Sequence, residues 1–219
     1  MIKEDIQSQK EKVKQMTKRE RLQYFWYYNK VKVGLGLVAV AFIIYLVVTI
    51  RSNKDSESIY VAMVNSYISV ADQTAIMDEF TSGRSIDTNH APAKIHASFN
   101  MKEDSYGNVA LANSQLLQAY METGDFDVLI ADEWIIKDFA SQGMLADLTA
   151  DLDEETLKLI GDNLYYYTYE NGETFAIGFY ANNLDKVNPY YKDVQPIVSL
   201  VGTSPTKEIG AEYIRYLLE

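Results

Sequence analysis

The sequence predicts an α/β domain, a mostly parallel sheet with helices on both faces, preceded by one transmembrane helix. Three observations predict it. Val33–Ile50 reads VGLGLVAVAFIIYLVVTI without a charge. From Ser58 onward, short apolar runs of strand length alternate with segments of helical spacing. The charge is split between the two parts. Residues 1–32 carry nine Lys/Arg against four acids, whereas residues 33–219 carry 11 basic against 27 acidic residues.

The apolar run comes first in the argument. Eighteen helical residues rise about 27 Å, close to the roughly 30 Å hydrocarbon core of a bilayer. A chain of 219 residues is too short to surround so apolar a helix with protein. The basic segment before it is longer than a signal-peptide n-region, and Arg51-Ser52-Asn53-Lys54-Asp55 offers no small-x-small cleavage site. We read residues 33–50 as an uncleaved signal anchor in the lipid bilayer. Nine basic residues precede it and only Arg51 and Lys54 closely follow it, so the N-terminus is expected in the cytoplasm and the main domain outside the cell. Within the cytoplasmic segment, residues 1–32, Tyr24–Tyr28 form an aromatic cluster suited to the headgroup layer. Thr17-Lys18-Arg19-Glu20 matches a capping box. Gly34-x-Gly36-x-x-Ala39 imitates a dinucleotide fingerprint, but no strand precedes it, so it has no such role.

Residues 51–57 form a polar linker, and residues 58–219 the outer domain. SIYVAMVN alternates Ile59, Val61 and Met63 with Tyr60, Ala62 and Val64, apolar on both faces as in a central parallel strand. Ser69 or Asp72 then caps a helix carrying Ile76, Met77 and Phe80, closed by Gly83. KIHASFN around 94–100 is the second strand. Val109–Met121 is helical by spacing and ends at Gly124. Phe126–Ala131 is the third strand, and Asp132 opens a helix that stops at Gly143. Glu170-Asn171-Gly172-Glu173 is a hairpin turn between YYYTY and TFAIGFY. Pro196–Val201 is a last buried strand, and Thr203 or Ser204 caps a final helix over Pro205–Leu218.

The run Gly124-Asp125-Phe126-Asp127-Val128-Leu129-Ile130-Ala131, with Ile136, Phe139-Ala140-Ser141-Gln142-Gly143-Met144-Leu145-Ala146-Asp147-Leu148, resembles extracellular solute-binding proteins of bacterial ABC importers. Phe175–Tyr180 is similar to that family's return strand, and Val198–Leu218 to its last strand and helix. The resemblance implies one lobe of a class-II periplasmic-binding-protein fold. Only about fifteen residues separate Tyr180 from the last strand, where the family inserts its second lobe. The family's usual lipidated cysteine is also missing, because the chain has no cysteine.

Composition narrows the chemistry. An acidic main domain repels phosphates, so no nucleic-acid partner is expected. With no cysteine and two histidines, neither a thiolate site nor a histidine-rich metal site is expected; no metal, cofactor or catalytic residue is assigned. No GxSxG, HExxH or P-loop occurs. Asp151-x-Asp153-x-Glu155 lacks the glycine of a calcium loop and reads as an acidic helix start. His90 and His96 are read as structural. Ligands of open parallel sheets sit outside the strands' carboxyl ends, which selects Asn65, Ser66, Asn100, Asp132, Glu133 and Trp134 as ligand-binding candidates. The alternative for these residues is a role as caps and turns. Seventeen tyrosines are present, and Tyr165, Tyr166, Tyr167, Tyr169, Tyr190 and Tyr191 are candidates for a partner contact.

The function expected from sequence is a membrane-anchored, non-catalytic accessory subunit that holds a membrane-protein partner, such as a transporter. The alternative is a small-molecule receptor or sensor module associated with an ABC transporter. A deep polar cleft lined by Trp134 and tyrosines favours the alternative; a filled cleft with an exposed apolar patch favours the first.

Overall fold

A computed structural model describes residues 17, 19, 26, 27, 29, 30, 33, 36, 38, 40–42, 58–84, 92–101, 108–192 and 194–219. The chain divides into two units, Met1–Lys54 and Asp55–Glu219. In the first, Val33, Gly36, Val38, Val40, Ala41 and Phe42 are helical. The rest of the 33–50 span, most of residues 1–32 and all of the 51–57 linker lie outside the described residues. Among those that are described, no helix is long and apolar enough to cross a membrane.

The second unit is built on β1 (Ile59–Met63), β2 (Ala93–His96), β3 (Val128–Ala131), β4 (Leu164–Thr168), β5 (Thr174–Tyr180) and β6 (Ile197–Leu200). They form one sheet in the order β2-β1-β3-β6-β5-β4. The helices are α1 (Val70–Arg84), α2 (Asn108–Thr123), α3 (Glu133–Ser141), α4 (Leu148–Asp151), α5 (Glu154–Ile160) and α6 (Lys207–Leu218). The pleat of β1 divides the core as its alternation predicts. Ile59, Val61 and Met63 pack with Ile76, Met77 and Phe80 of α1 and Tyr213, Ile214 and Leu217 of α6. Ala62 and Val64 pack with Leu117 and Met121 of α2 and Ile135, Ile136 and Phe139 of α3.

The mostly parallel sheet expected from sequence is corrected to a mixed one. β1 runs parallel to β2 and β3, but β3–β6, β6–β5 and β5–β4 are antiparallel. The physical reason lies in the connections. β4 and β5 are a hairpin turned by Tyr169–Glu173, with Gly172 at φ 87°. β6 returns from β5 through a loop with no crossover helix long enough to carry the chain back to the other end. The connection 181–196 therefore lies at the end of the sheet where β1, β2 and β3 finish.

Local signals place most helix ends. Ser69 Oγ accepts the Asp72 N–H at 3.1 Å ahead of α1. Gly124 and Gly143, at φ 69° and 71°, turn the chain out of α2 and α3. Gly83 does not close α1, which runs through Arg84. Helix α6 starts at Lys207, not Pro205, and Ser204 Oγ accepts the Thr206 N–H at 3.0 Å in the turn that precedes it. Ser204 Oγ and Thr206 Oγ1 donate to buried Asp127 Oδ1 at 2.5 and 2.6 Å, while Tyr60 N–H donates to its Oδ2 at 2.8 Å. One carboxylate thereby ties β1, β3 and the entry to α6 together.

The acidic stretch is structural. Asp153 accepts the Thr156 N–H at 2.8 Å and caps α5, whereas Glu155 and Asp151 pair with Arg215 and Lys207 of α6 at 2.6 and 3.1 Å. His96 sits half-buried against the rings of Tyr60 and Phe126. His90 lies outside the described residues.

Candidate functional site

A cleft of about 1010 Å³ opens at the carboxyl ends of β1, β2, β3 and β5. Asn65 and Tyr67 follow β1, Asn100 and Met101 follow β2, and Asp132, Glu133, Trp134 and Lys137 come from the β3–α3 junction. Tyr180 ends β5, and Lys192, Val194 and Gln195 come from the loop leading into β6. Strands that all finish at one end deliver their loops to that end, so residues far apart in sequence share one wall.

Five of the six ligand-binding candidates line this cleft: Asn65, Asn100, Asp132, Glu133 and Trp134. Ser66 does not. It is buried, and its hydroxyl donates to Met63 O at 3.2 Å, closing the turn after β1. Tyr67, Met101, Lys137, Tyr180, Lys192, Val194 and Gln195 line the cleft without having been singled out as ligand residues. Lys137 had a signal, since it stands four residues after Glu133 on the same helix face. The residues of the β5–β6 loop had none, because their place depends on the direction of β6.

Asn65 is the joint of the site. Its Nδ2 donates to Asp132 Oδ2 at 2.7 Å, and its Oδ1 accepts the Met101 N–H at 2.6 Å. Its own N–H donates to Phe99 O at 3.0 Å. The loops after β1, β2 and β3 are thus pinned by one side chain. Its φ of 58° lies in the left-handed region, which asparagine tolerates better than most residues.

Asp132 occupies the N-cap position of α3 but makes no capping hydrogen bond from its side chain. The carboxylate turns to Asn65 instead, and its Oδ1 is closed from solvent with no hydrogen-bond partner. The capping alternative read from sequence is corrected accordingly.

Glu133 is half-exposed and engaged through one carboxylate oxygen. Lys137 Nζ stands 2.7 Å from its Oε1, and Tyr165 OH donates to the same atom at 3.1 Å. The hydrogen bond from Lys137 holds the Glu133 carboxyl below the usual carboxylate range; desolvation opposes it, and the Tyr165 hydroxyl and the Lys137 charge add smaller lowering effects. Glu133 in turn raises the Lys137 ammonium. Burial first, and then the Glu133 charge, push the Tyr165 hydroxyl well above its ordinary value.

The tyrosine candidates separate into two groups. Tyr165 and Tyr191 are buried and present no contact surface. Tyr165 packs edge-on to Tyr180, and Tyr191 OH donates to Ile130 O at 2.9 Å, bracing the end of β3. Tyr166 is exposed, whereas Tyr167, Tyr169 and Tyr190 are half-exposed. Tyr167 and Tyr169 pack on each other at the hairpin end, Tyr169 also on Phe175. Among the described residues, no group of three or more His, Asp or Glu side chains gathers to hold a metal ion.

No family model matches the chain, and no curated protein matches it. Among solved structures, iron-bound HitA from Pseudomonas aeruginosa is similar at 12% identity and a TM-score of 0.42, over 74% of this chain and 81% of that one. A substrate-binding domain assigned to a molybdenum ABC transporter of Clostridium difficile is similar at 13% identity and a TM-score of 0.35, over 74% and 92% of the two chains. An oligosaccharide periplasmic-binding protein assigned in Synechococcus sp. MITs9220 is similar at 17% identity and a TM-score of 0.30, over 49% of this chain and 22% of that one.

Proposed function

We propose that residues 58–219 form a non-catalytic lobe that binds a small polar molecule in the cleft at the carboxyl ends of its strands. The observation that carries this reading is the convergence of Asn65, Asn100, Asp132, Glu133 and Trp134 on one open volume. A volume of about 1010 Å³ is at the upper end of ordinary small-molecule sites, which span roughly 300–1,000 Å³. Its walls combine three aromatic rings (Tyr67, Trp134 and Tyr180) with amides and charges of both signs. That is the polar, aromatic-lined cleft expected of a receptor rather than the filled one expected of an accessory subunit.

The sequence resemblance over 124–148 extends the reading to a receptor or sensor module that works with an ABC transporter. The basic excess before residue 33 supports an anchored lobe facing the outside of the cell. The partner-holding reading draws less support, because Tyr165 and Tyr191 are internal.

The test is a thermal-shift screen of the full-length chain against amino acids, polyamines, sugars and oxyanions. A receptor gives at least one ligand that raises Tm in wild type and not in Trp134→Ala. A screen without such a ligand, together with a stoichiometric membrane protein that co-purifies with wild type and is lost from Tyr166→Ser, returns the partner-holding reading.

A further inference from the structure

The chain contains one Asn-Gly pair, Asn171-Gly172, and it stands at the exposed tip of the β4–β5 hairpin. Glycine has no Cβ to crowd its own nitrogen, so the step from an asparagine to a glycine is where the main chain most easily attacks a side-chain amide. The turn decides whether it can do so here. Gly172 N–H donates to Tyr169 O at 2.9 Å and Tyr169 N–H to Glu173 O at 2.8 Å, which leaves Glu170, Asn171 and Gly172 as a three-residue loop. Among the described residues, Asn65 is the only one other than glycine with a positive φ, and no peptide bond is cis. Of the hydrogen-bonded turn types, I′, II, II′ and VI are therefore excluded for Tyr169–Gly172. A type I turn remains, with Gly172 at φ 87° as its bulge residue.

That turn holds the reacting atoms apart. The third residue of a type I turn, here Asn171, has ψ of about 0°. Its side chain then lies away from the Gly172 nitrogen, whose N–H is also committed to Tyr169 O. The side chain is tied down in its turn. Its Oδ1 accepts the Glu173 N–H at 3.0 Å, and its Nδ2 donates to Glu173 Oε2 at 2.6 Å. Nucleophile, carbonyl and leaving group are each held by a hydrogen bond in the folded tip.

We propose that Asn171 is a site of spontaneous deamidation, kept shut in the folded hairpin by the turn and by Glu173, and opened by local fraying of the tip. Once the tip is open, hydroxide takes the Gly172 N–H proton and the nitrogen bonds to Asn171 Cγ. The Cγ–Nδ2 bond breaks, and the amide nitrogen takes a proton from water and leaves as ammonia. Water then opens the five-membered imide at one of its two carbonyls, giving aspartate or its β-linked isomer. Either product removes the amide that met Glu173 and adds a carboxylate between Glu170 and Glu173, where like charges repel. The β-linked isomer also adds a methylene to the main chain inside the loop, out of step with the Tyr169–Glu173 pairing. Tyr169, which packs on Tyr167 and Phe175, then loses its fixed place.

The experiment follows the full-length chain in mild detergent by peptide mass spectrometry, reading aspartate and isoaspartate at position 171 over weeks in mildly alkaline buffer, folded and in urea. Wild type is compared with Glu173→Ala, Glu173→Gln and Gly172→Ala, each checked for its unfolding midpoint. In urea, wild type and both Glu173 variants should deamidate alike and Gly172→Ala several-fold more slowly, as attack by the Gly172 nitrogen requires. Folded wild type should react about tenfold more slowly than in urea. Glu173→Ala should lose several-fold of that protection when folded, and Glu173→Gln, which keeps the accepting oxygen, should retain it. Equal rates for folded and unfolded wild type overturn the proposal, as does full protection in Glu173→Ala. Protection lost in both Glu173 variants also overturns it, because charge rather than the hydrogen bond then sets the rate. No product at position 171 in urea overturns it outright.

Discussion

Asn65 Nδ2 donates to Asp132 Oδ2 over 2.7 Å, a bond that joins the loop after β1 to the start of α3 across 67 residues of sequence. The same side chain holds the Met101 N–H, so three loops of the cleft depend on one residue with a φ of 58°.

Asn65→Ala removes both bonds and keeps a side chain in the left-handed region. Hydrogen bonds to charged groups contribute about 1.5–3 kcal/mol, and left-handed backbone in a non-glycine residue costs about 1 kcal/mol or more. Asn65→Gly removes the bonds but relieves the backbone. Urea unfolding should show both variants destabilised and the glycine variant less so, by about 1 kcal/mol. Equal loss in the two would show that the backbone at this position carries no strain.

Gly178→Ala tests the packing between β5 and β6. A Cβ at Gly178 would stand 2.6 Å from Ser199 Oγ, 2.7 Å from Ile197 Cγ2 and 2.8 Å from Val198 O. Backbone and a β-branched side chain do not yield cheaply, so a loss of about 2–3 kcal/mol is expected. Ser199 Oγ is buried without a hydrogen-bond partner. Ser199→Ala should therefore be neutral or stabilising, and combined with Gly178→Ala it should recover part of the loss. A destabilising Ser199→Ala would reveal a bond that the structure does not show.

Stability should fall with pH around the histidine range, in part through His96. Burial first, and the nearby Lys94 charge second, lower its folded-state pKa below the ordinary 6.5. Above pH 6.5 both states are neutral there and the contribution is complete. As pH falls from 6.5 to the lower folded value, the unfolded chain takes the proton first and stability declines. Below the folded value no further change comes from this residue. The difference between wild type and His96→Gln in unfolding free energy, measured from pH 7.5 to 5, should shrink as pH falls. A difference independent of pH would remove His96 from the account.

The two kinds of tyrosine should behave oppositely. Tyr191→Phe leaves Ile130 O without its hydroxyl donor in a buried site and should cost about 1–2 kcal/mol. Tyr166→Ser alters an exposed side chain and should stay within about 0.5 kcal/mol of wild type in the same denaturant titration. If Tyr166→Ser proved the costlier change, the exposed ring would have a packing role that its position does not show.

Much of the fold was legible because it is decided within a few residues. The alternation of Ile59 to Val64 divides a doubly buried strand between two cores, and Gly124 and Gly143 end helices because a positive φ is cheap only without a Cβ. The place of Asn65, Asn100 and Asp132 at the carboxyl ends of the strands was legible because each follows an apolar run whose carboxyl end is fixed by chain direction. The tertiary structure alone decided the rest. Strands β3 and β6, four residues each and buried on both faces, carry no pattern that tells parallel from antiparallel. Only their long-range pairing does so, and it is this pairing that carries Lys192, Val194 and Gln195 to the cleft. Sequence likewise marks Asp132 as a helix cap, since the free N–H groups of α3 are its nearest donors. The Asn65 amide, 67 residues away in sequence and adjacent in space, takes the carboxylate instead and leaves Oδ1 without a partner.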